Sequence, residues 1–302
     1  MAFFKQITDE LELVKRIRKE NSHEEYKYLH LLEDIIENGV RASNRTGIET
    51  LTIPSASLSF DLSQGFPLLT TKKMAWKTMK VELEGFIKGV TTKKWYQERG
   101  CSIWDEWCNP QKVPYAHDSE TLAKMKMEDD LGEIYGFQWR SFDGDKNQDQ
   151  LKSIISTLKV NPSDRRMVCS AWNPKALHKQ ALPPCHIGFI VNCLDGVVNL
   201  SFQMRSVDIP LGLPFNVSSY ALLLHLICME TGLKEGILTA FLTSPHIYVN
   251  QIEGAKEQLK RVPYQFPTVH TDNFVDIFSW EASQTKLVNY TSHPKIDMPI
   301  AI

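Results

Sequence analysis

Residues 186–205 read HIGFIVNCLDGVVNLSFQMR. Two β-like runs, 186–194 and 197–205, are rich in Val, Ile and Phe, and the Asp195-Gly196 pair between them is a tight hairpin turn signal. Just before it lies a third short β-like run, 167–172, and just after it a nearly all-apolar helical stretch, 217–230, which belongs in a buried, central position. An antiparallel hairpin between helical segments favours α+β, with a mixed β-sheet and flanking helices, over a doubly wound parallel sheet.

The pattern continues outward in both directions. Amphipathic helices are predicted over 148–160, ended by Asn161-Pro162, over 76–87, closed by Gly89, and over 250–261. A further helix starts at Glu24, carries Tyr26, Leu29, Leu31, Leu32, Ile35 and Ile36 at helical spacing, and stops at Asn38-Gly39. Residues 50–62 alternate in twos and read as one strand, and the Pro-rich tail holds β-like pieces. With no repeat, low-complexity block or linker, 1–302 reads as a single domain. Residues 1–23 form a polar N-terminal extension and 108–130 a polar insertion loop.

At 302 residues, 42% hydrophobic and 23% charged, the chain can bury a large core and is neither disordered, collagen-like nor a coiled coil. A net charge of −2 gives no global field for a nucleic-acid duplex or an anionic membrane, so phosphate would be held by a few local arginines. No run approaches the ~18 apolar residues of a membrane span; the best, 220–228, is far shorter. Lys5, Asp9, Glu10 and Glu12 follow Phe3 and Phe4 too soon for a signal peptide, so an unexported, cytoplasmic protein is expected. Cys101, Cys108, Cys169, Cys185, Cys193 and Cys228 include no CxxC pair or zinc spacing, so no metal site is expected and each is by default a small buried hydrophobe.

Cys185 departs from that default. In 181–186, ALPPCH, two prolines fix the backbone before a cysteine at a strand start, with a histidine next. A placed thiol beside an imidazole or guanidinium suits an activated nucleophile, because nearby cations favour the thiolate; the pair alone also fits an ordinary buried cysteine. Arg45, Arg165, Arg166 and Arg205 stand at strand ends or turns, where the guanidinium fork suits a small phosphorylated ligand, although any one of them fits a surface ion pair. Glu82 lies on an otherwise largely apolar helix, where a carboxylate needs a partner or a role unless it faces water. Trp104, Trp107, Tyr135 and Trp139 supply core or flat walls for a heteroaromatic ligand.

Taken in order, these pieces resemble the thymidylate synthase superfamily: Arg45-Thr46-Gly47, 103–107 (IWDEW), Tyr135-Gly136 with Gln138-Trp139-Arg140, Arg165-Arg166 with 170–174 (SAWNP), 182–186 (LPPCH), 205–208 (RSVD) with 211–216 (LGLPFN), His246-Ile247-Tyr248 and the closing 299–302 (PIAI). The resemblance implies the family's α+β fold and an obligate homodimer formed through sheet-to-sheet packing. It also implies transfer of a methylene from 5,10-methylenetetrahydrofolate to C5 of a pyrimidine nucleotide after thiolate addition at C6. By the same carry-over Cys185 is the nucleophile. Arg45 and Arg205 hold the phosphate with Ser206, and Arg165 and Arg166 reach in from the partner subunit. His246 and Tyr248 bind the 3′-hydroxyl, and Glu82 manages protons near the base. Tyr135 and His186 belong to the hydrogen-bond network around the pyrimidine. Asp208, Trp104, Trp107, Leu211, Gly212 and Phe215 line the folate site, Asp208 also serving the nucleotide side, and Ile302 closes over it. Asn216 donates to O4 and accepts from N3–H, which selects uracil, hence dUMP, over cytosine.

The fate of the methylene intermediate divides the superfamily. Synthases usually read Glu-Leu-Leu-Trp where this chain has Glu82-Leu83-Glu84-Gly85, Gln-Arg-Ser where it has Met204-Arg205-Ser206, and Asn-His where it has Asn250-Gln251; they also read Gly-Gly-Asp before x-His where it has 242–245 (LTSP). Phage-type deoxycytidylate hydroxymethylases share Glu-Leu-Glu, Met-Arg-Ser and Ser-x-His-x-Tyr. An added carboxylate at Glu84, with glycine in place of tryptophan, would admit and orient a water. The expected product is therefore 5-hydroxymethyl-dUMP, which would fit modified viral DNA. The alternative is thymidylate synthase, giving dTMP and dihydrofolate; Trp104 and the Pro-Ile-Ala-Ile ending suit its dry site. A second alternative is a non-catalytic nucleotide-binding member.

Overall fold

The computed structural model describes residues 23–108, 119–120, 123 and 130–301. The expected extension, apart from residue 23, and most of the expected insertion lie outside the described residues. Helix α1 (Glu25–Asn38) buries Tyr28, Leu29, Leu32 and Ile35 along one face. Strands β1 (Val40–Ala42), β2 (Thr50–Thr52) and β3 (Ser55–Asp61) follow. The single strand expected over 50–62 is thus two strands in different sheets. They part at Ile53-Pro54, because proline has no N–H for a ladder and restricts the residue before it.

Helices α2 (Trp76–Lys88), α3 (Lys93–Glu98), α4 (Gly136–Arg140) and α5 (Gln150–Val160) come next. The start of α5 is set by Asp149, whose side chain caps the Lys152 N–H. Strands β4 (Val168–Ser170), β5 (His186–Leu194) and β6 (Val197–Met204) form the expected meander, and Asp195 and Gly196 both take positive φ, +50° and +76°, at the hairpin turn. The chain closes with β7 (Val207–Asp208), α6 (Gly212–Thr231), β8 (Lys234–Thr243), β9 (Pro245–Tyr248), α7 (Ile252–Leu259), β10 (Thr268–Thr271) and β11 (Thr285–Val288).

One sheet runs β3-β8-β6-β5-β4, mixed because only β6 and β8 are parallel; a second runs β1-β2-β9-β7; β10 and β11 pair alone. No sequence signal had marked β8, yet it is central to the larger sheet. Its inward residues Leu238, Ala240 and Leu242 are buried, and α6 lies across β6 and β8 with α2 and α5 on its flanks. Helix α6 is apolar on every side because sheet and helices enclose it; each buried Leu or Ile there contributes about 1.5–3 kcal/mol. At 20 residues it is longer than the 217–230 stretch read from sequence, and by length and composition alone could cross a membrane, but 72% of its apolar window is buried inside the fold. The opposite face of the large sheet is different: Val168, Ile190, Ile237 and Phe241 are 37–50% exposed there.

Candidate active site

The β5–β6 hairpin builds the centre of the site. A bulge between His186 and Gly188 shifts the register so that His186 pairs with Met204. The residues just beyond, Cys185 and Arg205, are then direct neighbours, and the Arg205 N–H donates to the Cys185 carbonyl at 2.9 Å. Bulges of this kind re-aim side chains at strand ends. The Arg205 guanidinium donates from Nε to the Pro184 carbonyl (2.9 Å) and from Nη2 to the Pro183 carbonyl (2.8 Å), with Nη2 4.0 Å from the Cys185 sulfur. The two prolines therefore present carbonyls that hold the arginine against the thiol.

The electrostatics of Cys185 differ from the sequence expectation. Burial pushes its thiol above the ordinary range, while Arg205 and then Arg45 pull it back down. His186 is not the activating cation. Burial drives its pKa to about 3, its Nδ1 is 2.8 Å from the Tyr220 hydroxyl, and its ring stacks on Tyr135 at 4.0 Å. A neutral, stacked imidazole instead positions Tyr135, whose hydroxyl accepts the Cys185 backbone N–H at 2.9 Å. Tyr135 holds a positive φ of +41°, a strained conformation for a bulky residue. Its hydroxyl stays protonated, raised by burial and by Cys185.

Glu82, on α2, is buried, and that burial raises its carboxyl to about 8 against an opposing pull from the Trp104 indole. Trp104 is itself buried, against Phe86 and Tyr135. The indole N–H lies short of a full hydrogen bond among the described residues, so it backs Glu82 rather than forming an open wall. Glu84 is turned elsewhere. Its carboxylate binds Lys88 Nζ at 2.6 Å and accepts the Ala282 N–H at 3.0 Å. A Cβ at Gly85 would lie 2.3 Å from the Tyr96 hydroxyl, so Tyr96 occupies the volume that a tryptophan at 85 would need. The expectation that Glu84 and Gly85 admit and orient a water is corrected accordingly: one is an ion-pair partner and the other makes room for an aromatic ring.

The second sheet brings the remaining groups together. Asp208 on β7 pairs with His246 on β9, and β9 in turn pairs with β2 through Tyr248 and Thr50. His246 Nδ1 donates to the Ser244 carbonyl at 2.9 Å, which leaves Nε2 for another partner. Tyr248 is half-buried, and its ionisation feels Asp208, Arg45 and Cys185. Arg45 lies over the Trp107 ring at 5.9 Å. Asp208 is raised by burial, while the Gln251 amide (2.8 Å) and the Leu211 N–H (2.9 Å) donate to its carboxylate. At the start of α6, a Cβ at Gly212 would lie 3.8 Å from the Asn216 amide oxygen and 3.9 Å from Asp208. Asn216 and Asp208 thus flank one small residue, and Leu211 and Phe215 beside them are half-buried.

Ser206 lies in the short connection from β6 to β7, next to Arg205. Arg165 and Arg166 are not drawn into this constellation: both are exposed ahead of β4, Arg166 pairing with Asp164 at 2.6 Å. Ile302 lies outside the described residues. Two polar residues that sequence reasoning missed join the site. Lys72 is buried, donates to the Pro210 carbonyl and feels Asp208, with burial lowering its pKa to about 8. Gln251 binds Asp208. Thr70-Thr71-Lys72-Lys73 has no apolar periodicity to betray a buried lysine, whereas Gln251 had been noted only as a departure from a pattern. All six cysteines are free, and no cluster of metal-ligating side chains occurs among the described residues.

The thymidylate synthase family model matches residues 26–302. The chain is 40% identical over 291 residues to a bifunctional dihydrofolate reductase-thymidylate synthase of Zea mays and, with the same figures, to a putative one of Oryza sativa subsp. japonica. In each case 93% of this chain is covered. It spans just over half the length of those two, 55% and 58%. It is 41% identical over 289 residues to a thymidylate synthase of Mycoplasma genitalium, covering 91% of this chain and 99% of that protein.

Proposed function

The chain belongs to the thymidylate synthase family, and from that premise we propose that it methylates dUMP to dTMP, with 5,10-methylenetetrahydrofolate as second substrate. The observation that carries the reading is the Cys185 sulfur, held 4.0 Å from Arg205 at a proline-fixed strand end. Addition of this thiolate to C6 of uracil makes C5 nucleophilic. Arg205 and Arg45 favour the thiolate and face the nucleotide phosphate with Ser206. Asn216 reads O4 and N3–H, and His246, through Nε2, and Tyr248 take the 3′-hydroxyl. Protonated Glu82, whose carboxyl titrates near 8, gives and receives a proton near the base while Tyr135 fixes the Cys185 backbone.

The folate fits the half-buried side of the same constellation, between Trp107, Leu211 and Phe215, with the carboxylate of Asp208 for its polar end. When bound, it supplies the one-carbon unit and the hydride. Reduction rather than hydration is supported by the engagement of Glu84 with Lys88 and Ala282, by the dry surroundings of Trp104, and by the synthase names of the relatives. The exposed row Val168, Ile190, Ile237 and Phe241 is the face for a homodimer, in which Arg165 and Arg166 enter the partner's phosphate site.

The test is mass spectrometry of the nucleotide product with dUMP and methylenetetrahydrofolate. One dihydrofolate per dTMP is expected. A product heavier by one oxygen, with no dihydrofolate formed, overturns reduction in favour of 5-hydroxymethyl-dUMP. Nucleotide binding without turnover would mark a non-catalytic member.

A further inference from the structure

The carboxamide of Gln251, at the entrance to α7, is fully buried and engaged on three sides. Its Nε2 donates to Asp208 Oδ2 at 2.8 Å and to the Pro299 carbonyl at 2.9 Å, while its Oε1 accepts the Tyr248 N–H at 3.1 Å. Two acceptors on the nitrogen side and a donor on the oxygen side fix the amide's orientation. One residue therefore joins the carboxylate on the folate side, the backbone on the nucleotide side and the final segment of the chain.

A second observation places the same segment. Gly254 stands one turn further on, and a Cβ there would come within 3.1 Å of Met298 and 3.2 Å of Ile296. Residues three apart on a helix share a face, so Gln251 and Gly254 together form a seat for 296–301. Met298 is buried on it and Ala301 is buried further along, whereas Ile300 is 67% exposed. A histidine at 251 has two ring nitrogens and could serve only two of the three partners.

We propose that Gln251 is a positioning residue that seats segment 296–301 and aligns Asp208 in one hydrogen-bonded unit, so that tail placement and folate binding are coupled. This rests on the assignment of Asp208 to the folate side in the proposed function. Gln251 touches neither substrate; it acts through Asp208 and the tail.

The isosteric Gln251→Glu keeps the acceptor for Tyr248 and replaces two N–H donors by at most one O–H. Asp208 would claim that O–H, because two adjacent carboxylates share a proton, so the donor to the Pro299 carbonyl is lost. Hydrogen exchange in the peptide spanning 295–301, followed by mass spectrometry, should quicken about tenfold in this variant, the scale of one lost hydrogen bond. The KM for methylenetetrahydrofolate should rise by about tenfold or more, while dUMP affinity, measured at equilibrium without folate, stays within about threefold. Gln251→His should fall between. Gly254→Ala loosens the seat while leaving the Asp208 and Tyr248 bonds in place, so exchange should rise there with a smaller effect on folate. Unchanged exchange in Gln251→Glu, or equal losses for dUMP and folate, would overturn the coupling. Should Gln251→Glu fail to fold, unchanged exchange in both Gln251→His and Gly254→Ala does the same. The exchange arm needs no turnover, so a wild type that makes no dTMP refutes the proposed function while the seat is still scored.

Discussion

Replacing Glu82 by glutamine should stabilise the protein while removing most of its activity, and the size of the gain should depend on pH. Burial lifts this carboxyl from 4.5 to about 8. A group whose folded pKa is raised contributes stability that is fully present below the unfolded value and is lost as pH rises through the folded one. Between about pH 5 and pH 7.5 the unfolded chain releases this proton and the folded chain largely retains it. At 1.36 kcal/mol per pKa unit, the wild type loses about 3 kcal/mol across that window through Glu82 alone. Glutamine never ionises, and its carbonyl can still face the Trp104 indole, so the variant escapes that loss.

The assay is urea unfolding of wild type and Glu82→Gln at both pH values, taken as a difference so that all other titrating groups cancel. The variant's advantage should grow by about 3 kcal/mol from pH 5 to pH 7.5, while turnover falls on the order of 10²–10⁴. An advantage that is the same at both values would show that Glu82 is ionised in the folded protein, and the protonated-acid role would be refuted with it.

Other outcomes follow from the same geometry. Cys185→Ser should abolish turnover and leave dUMP binding, measured by equilibrium titration, within several-fold of wild type; normal turnover would exclude covalent catalysis. Asn216→Asp should move kcat/KM toward dCMP, and an unmoved preference would remove the base assignment. If Arg166 completes the partner's site, Arg166→Ala and Cys185→Ala homodimers should each be nearly inactive, yet unfolding and refolding them together should restore activity through mixed dimers that hold one intact site. A mixture no more active than its parts would place Arg166 outside catalysis.

Much of the site was legible because its residues sit at chain features that leave marks in sequence. The 195–196 turn is a local signal, and it sets the hairpin whose far ends are Cys185 and Arg205. Helix α6 was visible from its apolar run, although its first turn, with Gly212 and Asn216, was not, because Pro214 interrupts the pattern. What sequence concealed depended on remote partners. His186 looks like a base beside a thiol, but its ring meets Tyr220 and Tyr135 instead. The split at Pro54 sends β2 and β3 to different sheets, a distinction set by partners almost two hundred residues away. Lys72 and Gln251 are polar residues whose burial is compensated mainly by distant carbonyls and carboxylates.

Glu84 separates structural from chemical reasons for a buried carboxylate on the same helix as Glu82. Its oxygens face Lys88 and the Ala282 N–H, so it is satisfied within the protein, whereas Glu82 forms no ion pair among the described residues, faces the Trp104 indole and stays protonated. Exchanging Glu84 for glutamine removes the charge opposite Lys88, which is only 27% exposed, and weakens the tie to the segment at 282. Loss of a partly buried, charge-assisted pair costs about 1.5–3 kcal/mol, so the denaturation midpoint should fall. The nucleotide product should not change, because neither partner of Glu84 belongs to the Cys185 constellation. A shift in the ratio of dTMP to 5-hydroxymethyl-dUMP in Glu84→Gln, read by mass spectrometry, would refute this division. It would mean that the carboxylate governs water near the methylene carbon from behind its ion pair.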